Sequence, residues 1–438
     1  MSVQNGDKWA PRKNIIIIGS GWAGSTLATS LDETKYSITV ISPETTTPYT
    51  PLLASAACGL YDFNIVETPI RHTIKRIKFV KARVESIDFK AKSVKCIPSF
   101  DDLVVKDFTL NYDIVVIAPG VSFLSIVKEP ADFNSQSTNH TFNTPGVSQH
   151  ALFLRNARDA MKIASRIQDC FEKASIPGLT DTQKRCLLHF VIVGAGPTGV
   201  EVSSELSDLF STSYASLYPH LKQYVSIAIH DVADQVLSGF DTKLQDYAMS
   251  SFTKRNVEVL TGSHIERVEK DGLYTKEMGR IDAGLVIWAT GNKSTDLVDS
   301  LPVKKTPRNP RILTDSFLRV YSPDSELLDR VYAIGDAADV ENARLPTTAE
   351  VACQKAKYLG KALNRDVKAE FRYQQAAIVA YLGQNDGVVS GKTDYSGAQA
   401  WIAWRSKNFL WTRTWRQKVL IVVGWALNLV TGRAIAPR

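Results

Sequence analysis

Two glycine turns of the form G-x-G-x-x-G, each entered from an apolar strand and left into a helix, restrict this chain more than any other feature. The first is Gly19-Ser20-Gly21-Trp22-Ala23-Gly24, after Ile15 to Ile18 and before a helical stretch Ser25 to Leu31. The second is Gly194-Ala195-Gly196-Pro197-Thr198-Gly199, after Leu187 to Val193 and before a helix from Val200. In such a turn the first glycine makes the bend, the second lets backbone approach a pyrophosphate, and the third lets the helix pack on the strand. The helix N-terminus then stabilises the phosphates. One match is weak evidence, because glycine-rich turns are common. Two, each in a proper strand-turn-helix setting, predict two dinucleotide-binding units.

Each fingerprint is followed by a second strand, Ser37 to Ser42 in the first unit and Val225 to His230 in the second, completing two βαβ openings. Further strands are expected at Asn111 to Ile117, ending in Ala118-Pro119-Gly120, and at Ile281 to Trp288, ending in Ala289-Thr290-Gly291. Phe133 to Pro145 is rich in Asn, Ser and Thr and reads as a loop, and Ala151 to Lys173 as a helix. A third region carries a strand Arg330 to Ile334 running into Gly335-Asp336, a helix from about Thr348 to Leu363, and a strand or hairpin at Tyr381 to Val389. The predicted fold class is α/β, with two Rossmann-like domains, the first interrupted by the second. The expected boundaries are 1–150 and 301–394 for the first domain, 151–300 for the second, and 395–438 for a C-terminal segment.

Charge narrows the partners. The net charge is +7, and from Tyr395 to Arg438 there is no acid, while Arg405, Lys407, Arg413, Arg416, Lys418, Arg433 and Arg438 are basic. The tail accounts for the whole excess. The rest is close to neutral, which argues against a nucleic-acid surface. The five cysteines form no C-x-x-C pair and the seven histidines no ligand spacing, so neither a redox dithiol nor a metal is expected. The start, Met1 to Lys13, is short and polar, so any import signal there is expected to be weak or absent. No stretch reaches the roughly 18 to 20 apolar residues of a spanning helix, and no proton pumping is expected.

An acid after the second strand of such a unit accepts from ribose hydroxyls and repels a 2′-phosphate. Asp231, after His230, fills that place and favours NADH over NADPH; the plainer alternative is a solvated loop aspartate. In the first unit Glu44 is displaced two residues beyond the strand end at Ser42, so neither residue is a strong candidate.

Tyr332-Ala333-Ile334-Gly335-Asp336 has the form of a strand delivering an aspartate beside a cofactor, and resembles the FAD-contacting segment of the pyridine-nucleotide disulfide oxidoreductase superfamily. Together with Thr50-Pro51-Leu52-Leu53, Gly194 to Glu201, Ala333 to Ala337, and Leu345 to Gln354, the chain resembles the type II NADH dehydrogenases, most closely their fungal mitochondrial branch. These are single-chain, rotenone-insensitive NADH:quinone oxidoreductases. The likeness extends over nearly the whole chain, including Tyr381-Leu382-Gly383 and the basic aromatic tail.

The resemblance implies FAD on Gly19, Gly21, Gly24, Thr50, Pro51, Gly335, Asp336 and Ala349. It implies NADH on Gly194, Gly196, Gly199, Asp231, Thr290 and Gly291. Glu201 matches a family acid implicated in proton handling, although an acid in a first helical turn also complements the helix dipole. Family glutamines four apart at the quinone end become Glu350 and Gln354. That spacing puts both on one helical face. A carboxyl buried there could hold a proton and pass it to the acceptor; the alternative is that Glu350 points to solvent. The resemblance also implies a mitochondrial inner membrane location.

Five of the eight tryptophans lie in the last 38 residues. Written as one helix, Trp401, Trp404, Trp411, Trp415, Val419, Val422, Ala426 and Leu429 share a side. That is the pattern of a helix lying in the interface of an anionic membrane, with a core or homodimer-contact helix as the alternative. The competing functional readings are a soluble flavin oxidoreductase of the apoptosis-inducing-factor type, or a pathway-specific one, with another acceptor, and a flavin-bearing binding protein.

Overall fold

The computed structural model describes residues 12–74, 76–100, 102–120, 144–291, 294–307, 310–365, 369–375, 377–433 and 435. The polar start, the expected loop 133–145 up to residue 143, and Arg438 lie outside the described residues. The chain forms two compact units: Met1–Thr47, Pro69–Leu124 and Asn292–Gln374 make the first, and Pro48–Thr68, Ser125–Gly291 and Gln375–Arg438 the second.

In the first unit, the strand Lys13–Ile18 lies between Tyr36–Ser42 and Ile114–Ile117, parallel to both. Lys78–Asp88 and Leu327–Ala333 extend this parallel core on either side. Side chains alternate across a strand, and the isoleucine run divides accordingly. Ile15 and Ile17 pack into a core with Leu27, Ala356 and Leu359 from the helices Trp22–Ser30 and Ala349–Arg365. Ile16 and Ile18 face the opposite core, with Val84, Val94 and Cys96. A strand buried on both faces reads as a continuous apolar run. Gly360 lets the two helices approach closely, since a Cβ there would lie 2.8 Å from that of Ser30.

The second unit repeats the design. His189–Val193 lies between Ser226–His230 and Leu285–Trp288 in a five-stranded parallel sheet. Phe190 and Ile192 face the helices Ala157–Ala174 and Pro197–Leu209. Val191 and Val193 face a core with Val268 and Leu273 of an antiparallel three-stranded sheet. The same unit carries the hairpin Ile378–Gly383 and Asp386–Ser390 and the tail helices Ala398–Leu410 and Trp415–Thr431.

Two expectations need correction. The compact units do not follow the boundaries 150, 300 and 394: residues 48–68 and the tail both belong with the second fingerprint. Ala54, Ala57 and Cys58 bury against Ile163, Phe171 and Leu206 there, a small-residue contact without a periodic signature. The tail is also not one helix. It stops at Leu410 and restarts at Trp415, where Thr414 caps the new helix by accepting from the Gln417 amide. The common face therefore fails: Trp404 is buried, whereas Trp415, Val419, Val422, Ala426 and Leu429 are exposed.

Candidate functional site

The glycines of each turn divide by what a side chain would meet. A Cβ on Gly19, where φ is +101°, would stand 2.1 Å from the Ala118 carbonyl oxygen, and one on Gly24 would stand 2.0 Å from that of Gly19. In the second turn, a Cβ on Gly194 (φ +111°) would stand 2.9 Å from Thr290 Cβ, and one on Gly199 would stand 1.8 Å from the Gly194 oxygen. These four are fixed by the fold itself. Gly21 and Gly196 are different, because a Cβ on either meets nothing within 4 Å. Their backbones, φ −63° and −73°, suit any residue, and a serine or aspartate would cap the helix better than glycine. Internal packing does not call for glycine at either place. A phosphate pressing against the backbone does, so both turns fit a dinucleotide.

The surrounding hydrogen bonds match as well. Gly19 N donates to Ile41 O at 2.8 Å and Gly194 N to His230 O at 2.7 Å, while Ala118 N and Ala289 N donate to Ile18 O and Val193 O, both at 2.8 Å. Beside the second turn, Thr290 lies against Gly194, and Gly291 takes φ +80°. Asp231 directly follows the second strand, as expected, and is half-buried. It accepts from Ala195 N inside the turn and from Ala233 N at 2.8 Å. Its carboxylate thus braces the second glycine turn.

In the first unit Gly335 (φ +75°) opens a short turn Gly335–Ala337, with room for a Cβ only at 3.0 Å from Ala23 Cβ. This brings Asp336 close to the fingerprint helix. Burial pushes the Asp336 carboxyl up, with Arg311 and Lys355 pulling it back. Lys355 was not foreseen. It is 1 % exposed, donates to Ala338 O at 2.7 Å, and burial pushes it down to about 8, against Asp339 and Asp336. The only hint in the sequence is its place one residue past Gln354.

Ala349 and Glu350 begin the helix Ala349–Arg365. Glu350 and Gln354 do share a face: Gln354 Nε2 donates to Glu350 Oε1 at 2.9 Å. Glu350 is half-buried, which fits neither full burial nor a free solvent position. Gln354 also clamps Gln374, donating to its carbonyl at 2.8 Å and accepting from its N–H at 3.1 Å. A ligand reaching Gln354 must compete with those bonds.

In the second unit, Thr50 and Pro51 open the short helix Thr50–Leu52, with Thr50 exposed. Glu201 lies in the helix Pro197–Leu209, half-buried, and accepts from Trp404 Nε1 at 2.9 Å. Burial pushes its carboxyl up to about 8, and the nearby Glu205 adds to this; the Trp404 N–H, the Tyr381 backbone N–H and Lys407 pull it down. It therefore carries a proton at neutral pH.

The model of the pyridine nucleotide-disulphide oxidoreductase family matches residues 13–356. A probable NADH dehydrogenase from Dictyostelium discoideum is 34% identical, with 99% of this chain and 93% of that one aligned. An internal alternative NAD(P)H-ubiquinone oxidoreductase of Solanum tuberosum mitochondria is 30% identical over 97% and 88% of the two chains. The external potato enzyme is 32% identical, and the match spans only 58% of its length. Among solved structures, NDH2 from Plasmodium falciparum in complex with NADH superposes with a TM-score of 0.85, at 22% identity over 97% of this chain and 100% of that one, which shows a shared fold. The chain thus belongs to the pyridine nucleotide-disulphide oxidoreductases and, within them, to the type II NADH dehydrogenases.

Proposed function

We propose that this protein oxidises NADH and reduces a ubiquinone-like quinone through bound FAD, at a mitochondrial membrane surface and without pumping protons. The observation that carries this reading is the pair of open second glycines, Gly21 and Gly196, one in each unit. Two nucleotides are called for, and the named relatives act on NAD(P)H and ubiquinone. FAD, when bound, supplies the hydride acceptance and electron transfer that no side chain here can perform.

The chain's own residues then place and protonate. Gly19, Gly21 and Gly24 cradle one pyrophosphate, with Asp336 beside the same fingerprint helix. Gly194, Gly196 and Gly199 cradle the other, Asp231 braces that turn and meets the ribose, and Thr290 and Gly291 border it. Glu201 holds the proton that the quinone needs, and Glu350 with Gln354 orients the acceptor. For nucleotide choice, Asp231→Ala is expected to raise the KM for NADH about tenfold and to reduce discrimination against NADPH. Steady-state kinetics with both nucleotides check this, and unchanged values would remove Asp231 from the site. Glu350→Gln should change quinone kinetics more than NADH kinetics, so equal effects on both would count against its assignment.

The last helix supports the membrane placement by being inside out. Two of its polar residues turn inward: Gln417 Nε2 donates to Ile65 O at 3.0 Å and Thr68 Oγ1 at 2.8 Å, and Asn428 Nδ2 to Leu60 O at 2.7 Å. Many of its apolar residues face out, with Trp415 80%, Leu429 88% and Val430 85% exposed, although Ile421 is buried. A patch of this kind marks an interaction surface, and Arg416 and Lys418 at its start suit anionic headgroups. Among the described residues no helix is long and apolar enough to cross a membrane. Flotation with anionic vesicles should carry the wild-type protein and leave Val422→Asp/Leu429→Asp behind. If instead the wild type stays in solution as a dimer that this variant splits, the face is a contact between copies.

A further inference from the structure

One helical turn beyond Glu201, on the same face of Pro197–Leu209, stands Glu205, 1% exposed. Its oxygens accept from Ser55 Oγ at 2.6 Å and from Arg433 Nη1 at 2.6 Å. Asp208 accepts from Arg255 Nη2 at 2.7 Å and from the Tyr381 hydroxyl at 2.6 Å, and its Oδ2 lies 3.5 Å from Arg433 Nη2. Two carboxylates therefore face two guanidiniums below the surface. Such an arrangement is costly, because desolvation opposes the attraction and apolar packing often serves stability as well or better. A cavity of about 240 Å³ adjoins it, walled by Glu205, Asp208, Tyr381, Trp404, Arg405 and Arg433 among others. Trp404 links the cluster to Glu201, since its ring walls the cavity while its Nε1 donates to the Glu201 carboxyl.

We propose that Glu205, clamped by Arg433 from the tail, is a positioning residue whose fixed negative charge keeps a proton on Glu201. The proposal deepens the reading of Glu201 as proton donor and rests on it. The overall reaction, NADH + H⁺ + quinone → NAD⁺ + quinol, shows why such a device is useful. The hydride carries both electrons and one of the two hydrogens, so one proton per turnover must come from water. Glu201 gives that proton and regains one from water, while the hydride accounts for both electrons and the other hydrogen of the quinol.

The charges around Glu201 make the sign predictable. Glu205 on its own helix favours the protonated form, and Lys407 on Ala398–Leu410 opposes it, with the neutral Trp404 and Tyr381 N–H groups on the same side as Lys407. Asp208, Arg255, Arg405 and Arg433 lie around Glu205 and the cavity. Removing the Glu205 charge must release the Glu201 proton at lower pH. Removing Arg433 leaves the buried Glu205 carboxyl without its partner, so it too must weaken the hold on the Glu201 proton. Arg433→Lys, which keeps the charge, separates this from a general loosening of the fold.

The test is an infrared titration of the FAD-loaded full chain, following the protonated carboxyl band that disappears in Glu201→Gln. The wild-type midpoint is expected at about 8. Glu205→Gln, whose one oxygen can still accept from Arg433 while its Nε2 donates to Ser55 Oγ, should lower it by about one pH unit. Arg433→Gln should lower it as well, Arg433→Lys should leave it in place, and the double variant Glu205→Gln/Arg433→Gln should fall no further than Glu205→Gln alone. An unmoved midpoint in Glu205→Gln, or an Arg433→Lys variant that shifts as far as Arg433→Gln, would overturn the proposal. The pH dependence of quinone turnover, measured alongside, separates the two readings: midpoints that move as expected without moving the rate profile uphold the coupling and reject Glu201 as donor.

Discussion

Glu201→Gln is expected to lower kcat for quinone reduction by at least about 100-fold, the usual scale of a lost general acid, with little change in the KM for NADH. The sign of the pH effect follows from the raised carboxyl. A group pushed up to about 8 is protonated at neutral pH and gives up its proton as pH rises through that value. Wild-type turnover should therefore decline on the alkaline side of about 8, and the glutamine variant should lack that decline. Steady-state rates with a short-chain quinone across this range check both points. A variant with wild-type turnover and an unchanged profile would take Glu201 out of the chemistry.

The fingerprint glycines should separate into two classes when replaced by alanine. Gly24→Ala and Gly199→Ala push a Cβ against a backbone oxygen at 2.0 and 1.8 Å. Backbone cannot swing aside as a side chain can, so each should cost about 3 kcal/mol or more of stability, a drop of several degrees in Tm. Gly21→Ala and Gly196→Ala meet nothing within 4 Å. The Tm of the cofactor-free protein should hardly move, yet Gly21→Ala should weaken FAD loading and Gly196→Ala should raise the KM for NADH, each by tenfold or more. That separation of stability from binding identifies the glycines a ligand requires. Equal destabilisation by all four would show that the turns are glycine-rich for packing alone.

Much of this architecture was legible because its signals are local. A strand, three glycines and a helix fall within about 25 residues, and the continuous apolar runs Ile15 to Ile18 and Phe190 to Val193 fit strands buried on both faces. What the sequence did not reveal depends on partners far apart in the chain. Trp404 meets Glu201 across 203 residues, and Arg433 meets Glu205 across 228. No periodicity links such positions, so nothing in the sequence singles out Glu205 or Asp208, and Arg433 reads there only as one of the basic residues of the tail. The tail misled for a related reason. Tryptophans are frequent enough there to form a stripe in any continuous helical register, but the cap at Thr414 resets the register and sends Trp404 inward. Trp425 likewise donates to the Tyr61 hydroxyl instead of facing outward.

The exposed side of the last helix shows how the two kinds of signal combine. Its apolar residues were readable, but that they point away from the protein follows only from Gln417 and Asn428, which hold the opposite face to Ile65, Thr68 and Leu60. Gln417 and Asn428 anchor the helix, and Trp415, Leu429 and Val430 are left for a partner.

The most direct measurement is anaerobic rapid mixing of the FAD-loaded protein, first with NADH and then with a short-chain quinone, while the flavin absorbance is followed. Bleaching by NADH within the turnover time, then full recovery on adding quinone with one quinol formed per NADH consumed, is the expected result. Bleaching that persists in the presence of quinone, or no bleaching at all, would contradict an NADH:quinone oxidoreductase.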